Sequence, residues 1–253
     1  MEVREGDYVL LRLDDKRKYL VRAEKGRMLH THKGIVDLGS LVGAKYGDYV
    51  ESHLNAKFRV LKPTIVDFVR FFSRGTQVIY PKDAALMIVL AGIGPGSRVV
   101  EAGTGSGALA ALLAYYVRPD GVVYSYDVKE SVLEIARRNL RKAGVADWVV
   151  LKRGDVTEEI EERGIDAVFL DLSTPWLVVK NASDALKSGG FFVSFSPTIN
   201  QVEKTVEELR AHDFVDVVAI EAIVRRYRVK AGKTRPEMFM VGHTGYIVLA
   251  RKP

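Results

Sequence analysis

The chain has no cysteine. Disulfides, thiolate metal ligands and a cysteine nucleophile are therefore excluded. Its five histidines are scattered, with His30 and His32 the one close pair, and no spacing among them reads as a metal site. A metal-free mechanism is expected. Amides are scarce as well: Asn55, Asn139, Asn181, Asn200, Gln77 and Gln201 are all of them. Few thermolabile side chains beside many Lys, Arg and Glu resemble a hyperthermophile profile. Thermal unfolding is then expected well above the roughly 45–65 °C of mesophilic domains, and a midpoint inside that range contradicts the reading. No apolar run approaches the roughly 20 residues that span a bilayer. The opening residues, Met1 to Asp7, lack the basic and apolar regions of a leader, so a cytoplasmic location is expected.

What the chain does contain suits a globular protein, with 47% hydrophobic and 28% charged residues in 253. That length allows one large domain, or a core domain with a small appendage. The net charge of +6 is too modest to require a nucleic-acid partner, so the clustering of the basic residues matters more than their total.

Residues 1–62 are expected to form a small β-rich module, and residues 63–253 a larger domain. Asp7 to Leu13 and Lys18 to Ala23 read as a hairpin about the polar turn Asp14-Asp15-Lys16-Arg17. His30 to Val36 and Lys57 to Leu61 read as further single strands. Lys62-Pro63-Thr64 is the expected joint. Helical spacing follows over Ile65 to Phe72 and Lys82 to Ala91, on either side of a loop.

Strands and helices then alternate. Strands are expected at Arg98–Ala102, Val122–Asp127, Trp148–Arg153, Asp166–Asp171 and Gly190–Phe195. Helices follow the glycine turn, and at Ser131–Ala143, Val178–Leu186 and Ile199–Ala211. Apolar strands interleaved with helices predict a parallel sheet covered on both faces. Val215–Val224 and Gly245–Ala250 have no good helix between them. They are expected to pair as a terminal antiparallel hairpin, completing a mostly parallel seven-stranded α/β sheet.

The segment Glu101-Ala-Gly-Thr-Gly-Ser-Gly107 joins a strand to a helix. Glycines allow a ligand close to the backbone, and the helix start offers free N–H groups. Such a turn holds a nucleotide-like cofactor. A dinucleotide site expects Gly-x-Gly-x-x-Gly. Here the glycines are at 103, 105 and 107, with Glu101 just before them. A carboxylate there repels a pyrophosphate but suits the ammonium and sulfonium groups of S-adenosylmethionine. Asp127 ends the next strand and can accept from ribose hydroxyls. Asp155 follows the third strand and can accept from an adenine amine. Each acid alone equally suits a cap on the segment that follows it. With Glu101, Asp127, Asp155 and Asp171 at successive strand ends, S-adenosylmethionine is the better account.

Arg74-Gly-Thr-Gln-Val-Ile-Tyr-Pro-Lys-Asp83, Leu61-Lys-Pro-Thr64 and His243-Thr-Gly-Tyr246 carry a more specific signal. With the glycine turn, they resemble the Rossmann-like class I S-adenosylmethionine-dependent methyltransferases. More narrowly, they resemble the tRNA adenine-N1 methyltransferases that modify the T-loop. The resemblance spans nearly the whole chain. It implies methylation of tRNA adenine 58, in some archaeal members also 57, and a homotetramer whose N-terminal module helps grip tRNA. One departure stands out. The family's Asp-Leu-Pro-x-Pro-Trp is Asp171-Leu-Ser-Thr-Pro-Trp176 here, so Ser173 replaces a proline beside the target base.

The resemblance implies roles residue by residue. Asp171 and Tyr80 are the expected catalytic pair, with Tyr80 holding the adenine; without the resemblance Tyr80 reads as a packed loop aromatic. Gln77, Glu101, Gly103, Thr104, Gly105, Ser106, Gly107, Asp127 and Asp155 are the expected cofactor contacts. His243 either faces substrate or is a hydrogen-bonded structural histidine. Trp176 reads as an anchor at a helix start. Arg225, Arg226, Arg228, Lys230, Lys233 and Arg235, interleaved with Tyr227, suit phosphate contacts in a long loop. Two alternatives stay open: a protein methyltransferase of the isoaspartyl kind, and a non-catalytic tRNA-binding subunit. The complete set of acids and glycines argues against the second.

Overall fold

A computed structural model describes residues 1–73 and 78–253. The chain divides into two units, Met1–Phe71 and Phe72–Pro253. The division falls past the joint expected at residue 62. Helix α1, Ile65–Arg70, belongs with the first unit, where Phe68 meets the Tyr8 ring edge-on at 5.6 Å.

The first unit is built on β1 (Tyr8–Arg12), β2 (Lys18–Arg22), β3 (Met28–Thr31), β4 (Gly34–Asp37), β5 (Tyr49–Glu51) and β6 (Lys57–Leu61). Strands β2, β1, β6 and β5 form one antiparallel sheet in that order. The expected first hairpin is there; Asp14 Oδ1 accepts from the N–H groups of Lys16 and Arg17, each at 2.9 Å, and fixes its turn. The single strand expected at 30–36 is instead the hairpin β3–β4, turning at His32 and Lys33. Gly34 leaves that turn at φ +102°, a conformation that side chains resist. Val9, Leu11, Leu41, Phe58 and Val60 fill the core.

The second unit begins with α2 (Pro81–Leu90), then β7 (Arg98–Ala102), α3 (Ala108–Val117), β8 (Val122–Asp127), α4 (Glu130–Ala143), β9 (Val149–Arg153) and β10 (Ile165–Leu170). It continues through α5 (Val179–Ala185), β11 (Leu186–Ser196), α6 (Ile199–Ala211) and β12 (Val215–Ile220). The short strands β13 (Tyr227–Arg228) and β14 (Arg235–Pro236) precede the last strand, β15 (Tyr246–Arg251). The large sheet has seven strands in the order β12-β15-β11-β10-β7-β8-β9. The run from β11 to β9 is parallel. Strand β15 runs antiparallel to both β11 and β12. The expected terminal hairpin is therefore present, although β12 stops at Ile220 rather than 224.

Parallel strands need both faces covered, and the central ones are accordingly mostly apolar. Val100, Val168, Leu170 and Phe192 pack beneath α5 and α6, with Val179, Val202 and Leu209. Helix α3 is buried from Ala108 to Leu113, which explains why its sequence lacks a polar stripe. Helix α4 buries only Leu133, Ala136, Asn139 and Leu140, spaced three and four apart, and ends on Gly144 in the left-handed conformation. This arrangement brings the ends of β7, β8, β9 and β10 to one edge. Among the described residues, no helix is long and apolar enough to cross a membrane.

Candidate active site

The turn after β7 owes its shape to its neighbours. Gly103 has φ +90°, and a Cβ there would lie 2.3 Å from the Asp171 carbonyl oxygen. The Asp171 N–H in turn donates to the Ala102 carbonyl at 2.9 Å. Glycine at 103 thus lets the ends of β7 and β10 close together, bringing Glu101 and Asp171 to the same pocket. Gly107 caps α3 at φ +78°, where a Cβ would press on Ala136 of α4. The Gly105 N–H donates to Asp127 Oδ2 at 3.2 Å, and the Lys129 N–H to Asp127 Oδ1 at 3.0 Å. Each carboxylate oxygen of Asp127 keeps a lone pair for a ligand.

A shallow pocket, open to solvent, lies between the glycine turn, Asp171 and the segment Val78–Ile79. Glu101 is fully buried beside it. Its Oε2 accepts from the Ser125 hydroxyl, which also bonds Thr104 Oγ1 at 2.7 Å. Glu101 Oε1 has no hydrogen-bond partner among the described residues. Burial pushes the Glu101 carboxyl up to about 8; the Ser125 bond opposes this, and the charges of Asp171 and Asp127 add to it. Burial likewise pushes Asp171 up to about 6. A buried carboxyl with one orphaned oxygen is a vacancy for a cation. The residues present therefore fit a cationic ligand, which would favour the carboxylate form of Glu101.

The other expected site residues fall as follows. Asp155 Oδ1 accepts from the Thr157 N–H and hydroxyl, at 2.9 and 2.6 Å, which holds its carboxyl below the usual range. An adenine amine would have to use the other oxygen. Ser106 is buried with its hydroxyl unpartnered among the described residues. Tyr80 is 41% exposed. It sits in extended backbone just before Pro81, the first residue of α2, because a residue preceding proline is held out of the helical region. Gln77 lies outside the described residues.

His243 is held on both ring nitrogens: Nδ1 lies 2.6 Å from Glu221 Oε1, and Nε2 lies 3.2 Å from the Pro197 carbonyl. Both partners only accept, so both nitrogens donate, and the ring's pKa is raised by the Glu221 bond first and the Pro197 bond second. Of the two roles expected for His243, these contacts favour the hydrogen-bonded structural one. Ser173 does not leave its loop slack, because its carbonyl accepts from Gln201 Nε2 at 2.8 Å while Gln201 also caps α6 with Thr198. Trp176 sits in the 3₁₀ turn Pro175–Val178 that leads into α5, with Lys204 over its ring at 4.9 Å. The six basic residues from Arg225 to Arg235 are all exposed. None of them pairs with a carboxylate among the described residues. Among the described residues no cluster of His, Asp and Glu is placed to hold a metal ion.

Sequence reasoning missed Ser125, Asn139, Lys82 and Thr244. Ser125 sits opposite Glu101 in the β7–β8 register, a polar residue inside an otherwise apolar strand. Asn139 Nδ2 donates to the carbonyls of Ser106 and Ser73, at 2.9 and 3.0 Å, tying α4 to the turn and to the chain ahead of Tyr80. An amide on the buried stripe of α4 was the available signal.

The strand order, with only β15 reversed, and a turn suited to a cation define a class I S-adenosylmethionine-dependent methyltransferase. Within that class, the family described as the tRNA methyltransferase complex GCD14 subunit matches residues 58–238, and the chain belongs to it. It is 36% identical to the tRNA (adenine(57)-N(1)/adenine(58)-N(1))-methyltransferase of Methanocaldococcus jannaschii, over 97% of this chain and 95% of that protein. It is 37% identical to the tRNA (adenine(58)-N(1))-methyltransferase of Thermus thermophilus, over 96% of each. Among solved structures, the tRNA (m1A58) methyltransferase of Aquifex aeolicus has a TM-score of 0.86 at 30% identity, covering 100% of this chain and 99% of that one. A SAM-dependent O-methyltransferase from Thermotoga maritima has a TM-score of 0.94 at 35% identity, covering 99% and 94%.

Proposed function

We propose that the chain transfers a methyl group from S-adenosylmethionine to N1 of an adenine in the tRNA T-loop, at position 58 or at 57 and 58. The observation that carries this reading is the half-buried Asp171 carboxyl, set beside Glu101 at the mouth of the glycine turn. S-adenosylmethionine supplies an electrophilic methyl group on a sulfonium. Glu101 holds its cationic end, Asp127 accepts from the ribose and Asp155 Oδ2 from the adenine. The turn from Gly103 to Gly107, with Thr104 and Ser106, lies beside it.

Adenine N1 lies on the Watson–Crick edge, so the target base must leave its tertiary contacts. Tyr80 receives the exposed base. Asp171 accepts from the exocyclic N6–H. As N1 gains a methyl group, positive charge spreads to N6, and an ionised Asp171 favours that change. No base is needed, because the product keeps its charge. Much of the rate comes from holding N1 in line with the methyl carbon.

The terminal loop is read as the phosphate grip. Strands β13 and β14 set Arg228 directly opposite Arg235. Like charges in that position oppose pairing, unless an anion lies between them. Replacing Arg225, Arg226 and Arg228 with Gln is expected to weaken tRNA binding at least tenfold. It should also flatten the plot of log affinity against log salt by about 2, since each phosphate contact contributes about 0.7–0.9 to the slope. Filter binding over a salt series measures both, and an unchanged slope refutes the grip. S-adenosylmethionine affinity should not move.

The T. maritima likeness keeps a second reading in view, methylation of an oxygen such as an isoaspartyl carboxylate. One assay separates the two: labelled S-adenosylmethionine with unmodified tRNA and with isoaspartyl peptide. Label is expected in tRNA alone, and to fall when the T-loop adenines are replaced by guanine. We further read the protein as a cytoplasmic homotetramer whose N-terminal unit adds to the tRNA grip. Light scattering of the purified chain tests the tetramer.

A further inference from the structure

Lys82, Asp83 and Thr244 form a closed polar cluster that the reaction above does not use. Asp83 is fully buried, in the first turn of α2. The Lys82 ammonium has three hydrogens and meets three acceptors: Asp83 Oδ1 at 2.7 Å, Thr244 Oγ1 at 2.7 Å and the Ala222 carbonyl at 2.6 Å. The Thr244 hydroxyl donates to Asp83 Oδ2 at 2.9 Å. Every donor is used, and both carboxylate oxygens have a partner. Polar clusters this complete are rigid.

Its members lie at the two places that a base methyltransferase must coordinate. The Tyr80 carbonyl accepts from the N–H groups of Asp83 and Ala84, at 2.9 and 3.0 Å, so the backbone bearing the Tyr80 ring is fixed to the same turn of α2. Ala222 and Thr244 are the neck of the terminal loop that carries Arg225 to Arg235. His243 and Glu221 close that neck a second time.

We propose that Lys82, Asp83 and Thr244 are positioning residues that join the base-holding Tyr80 to the neck of the basic loop, so that phosphates bound by the loop and the captured adenine are held in one frame. The proposal rests on the reading that Tyr80 receives the target adenine. The cluster touches neither substrate nor cofactor; it acts through Tyr80. Misplacement at such a site costs rate rather than cofactor affinity.

The test is a double-mutant cycle with Thr244→Val and Tyr80→Ala in the full chain, with Thr244→Ser as the conservative control. Single-turnover methylation of unmodified tRNA, KM for tRNA, S-adenosylmethionine affinity and melting temperature are measured for each. Thr244→Val keeps the side-chain shape and removes the hydroxyl. It is expected to slow transfer about tenfold, while S-adenosylmethionine affinity stays within about twofold and Thr244→Ser recovers most of the rate. The double variant should be no slower than Tyr80→Ala alone, since a residue that acts through Tyr80 has nothing left to position. If the two losses multiply, or Thr244→Ser is as slow as Thr244→Val, the positioning role is refuted and the methyltransferase reading stands. If the wild type methylates no tRNA, the reading itself fails and takes the proposal with it.

Discussion

Asp171→Ala is expected to lower the rate of methyl transfer by about 10²–10³ at saturating S-adenosylmethionine, the usual loss for one group aimed at developing charge. S-adenosylmethionine affinity should change by no more than about twofold. The substitution spares the contact that shapes the turn, because Gly103 is crowded by the Asp171 backbone oxygen and not by its carboxylate oxygens. Asp171→Asn should fall between, since the amide can still accept from N6–H but carries no charge. The wild-type rate should also decline with acidification below about 6, where burial places the Asp171 carboxyl. Protonation removes the charge that favours a cationic product. Lost cofactor binding with normal turnover at saturation would contradict this role. Quench-flow and isothermal titration of the same variant separate the two outcomes.

The second large effect concerns Glu101. Burial first, and then the charges of Asp171 and Asp127 against the Ser125 bond, raise its carboxyl from 4.5 to about 8. At pH 7 it therefore holds a proton before the cofactor arrives. A cation placed on its unpartnered Oε1 favours the carboxylate, so binding at pH 7 releases a proton. Affinity should rise with pH up to about 8 and level off above it, by as much as about tenfold per unit below that point.

The stability of the cofactor-free protein runs the other way. A pKa raised on folding contributes stability that is complete below 4.5 and lost as the pH rises through about 8. The increase in melting temperature given by S-adenosylmethionine should therefore grow between pH 6 and 8. Glu101→Gln should remove the pH dependence and weaken binding about tenfold or more at pH 8. Titration in buffers of different ionisation enthalpy counts the protons. A wild-type affinity that is flat from pH 6 to 8 would rule out this role for Glu101.

Most of the sheet was legible because its signals are local. Mostly apolar runs such as Arg98–Ala102 and Ile165–Leu170 are followed by a glycine or an acid, and helix α4 between them has a period near 3.6. The acids at these strand ends mark the carboxyl edge of the sheet in the sequence itself. What was not legible depends on partners far apart in the chain. Lys82 and Thr244 are separated by 162 positions, and nothing local marks either as part of a cluster. The same holds for Glu101 and Ser125, which meet only once the β7–β8 register is fixed.

Gly103 is instructive in a different way. The sequence suggested a glycine for ligand approach, whereas the closest obstruction to a side chain is the end of the neighbouring strand. The hairpin β3–β4 reads locally as one strand because His32 and Lys33 are not common turn residues, and the turn depends on Gly34 at positive φ.

The central claim is that the methyl group goes to adenine N1. The direct measurement is nucleoside analysis of T-loop tRNA methylated by the purified chain, with chromatography that separates 1-methyladenosine from its N6 isomer. The account predicts 1-methyladenosine, located at position 58 or at 57 and 58. Label on N6, on another nucleoside or on protein would contradict it.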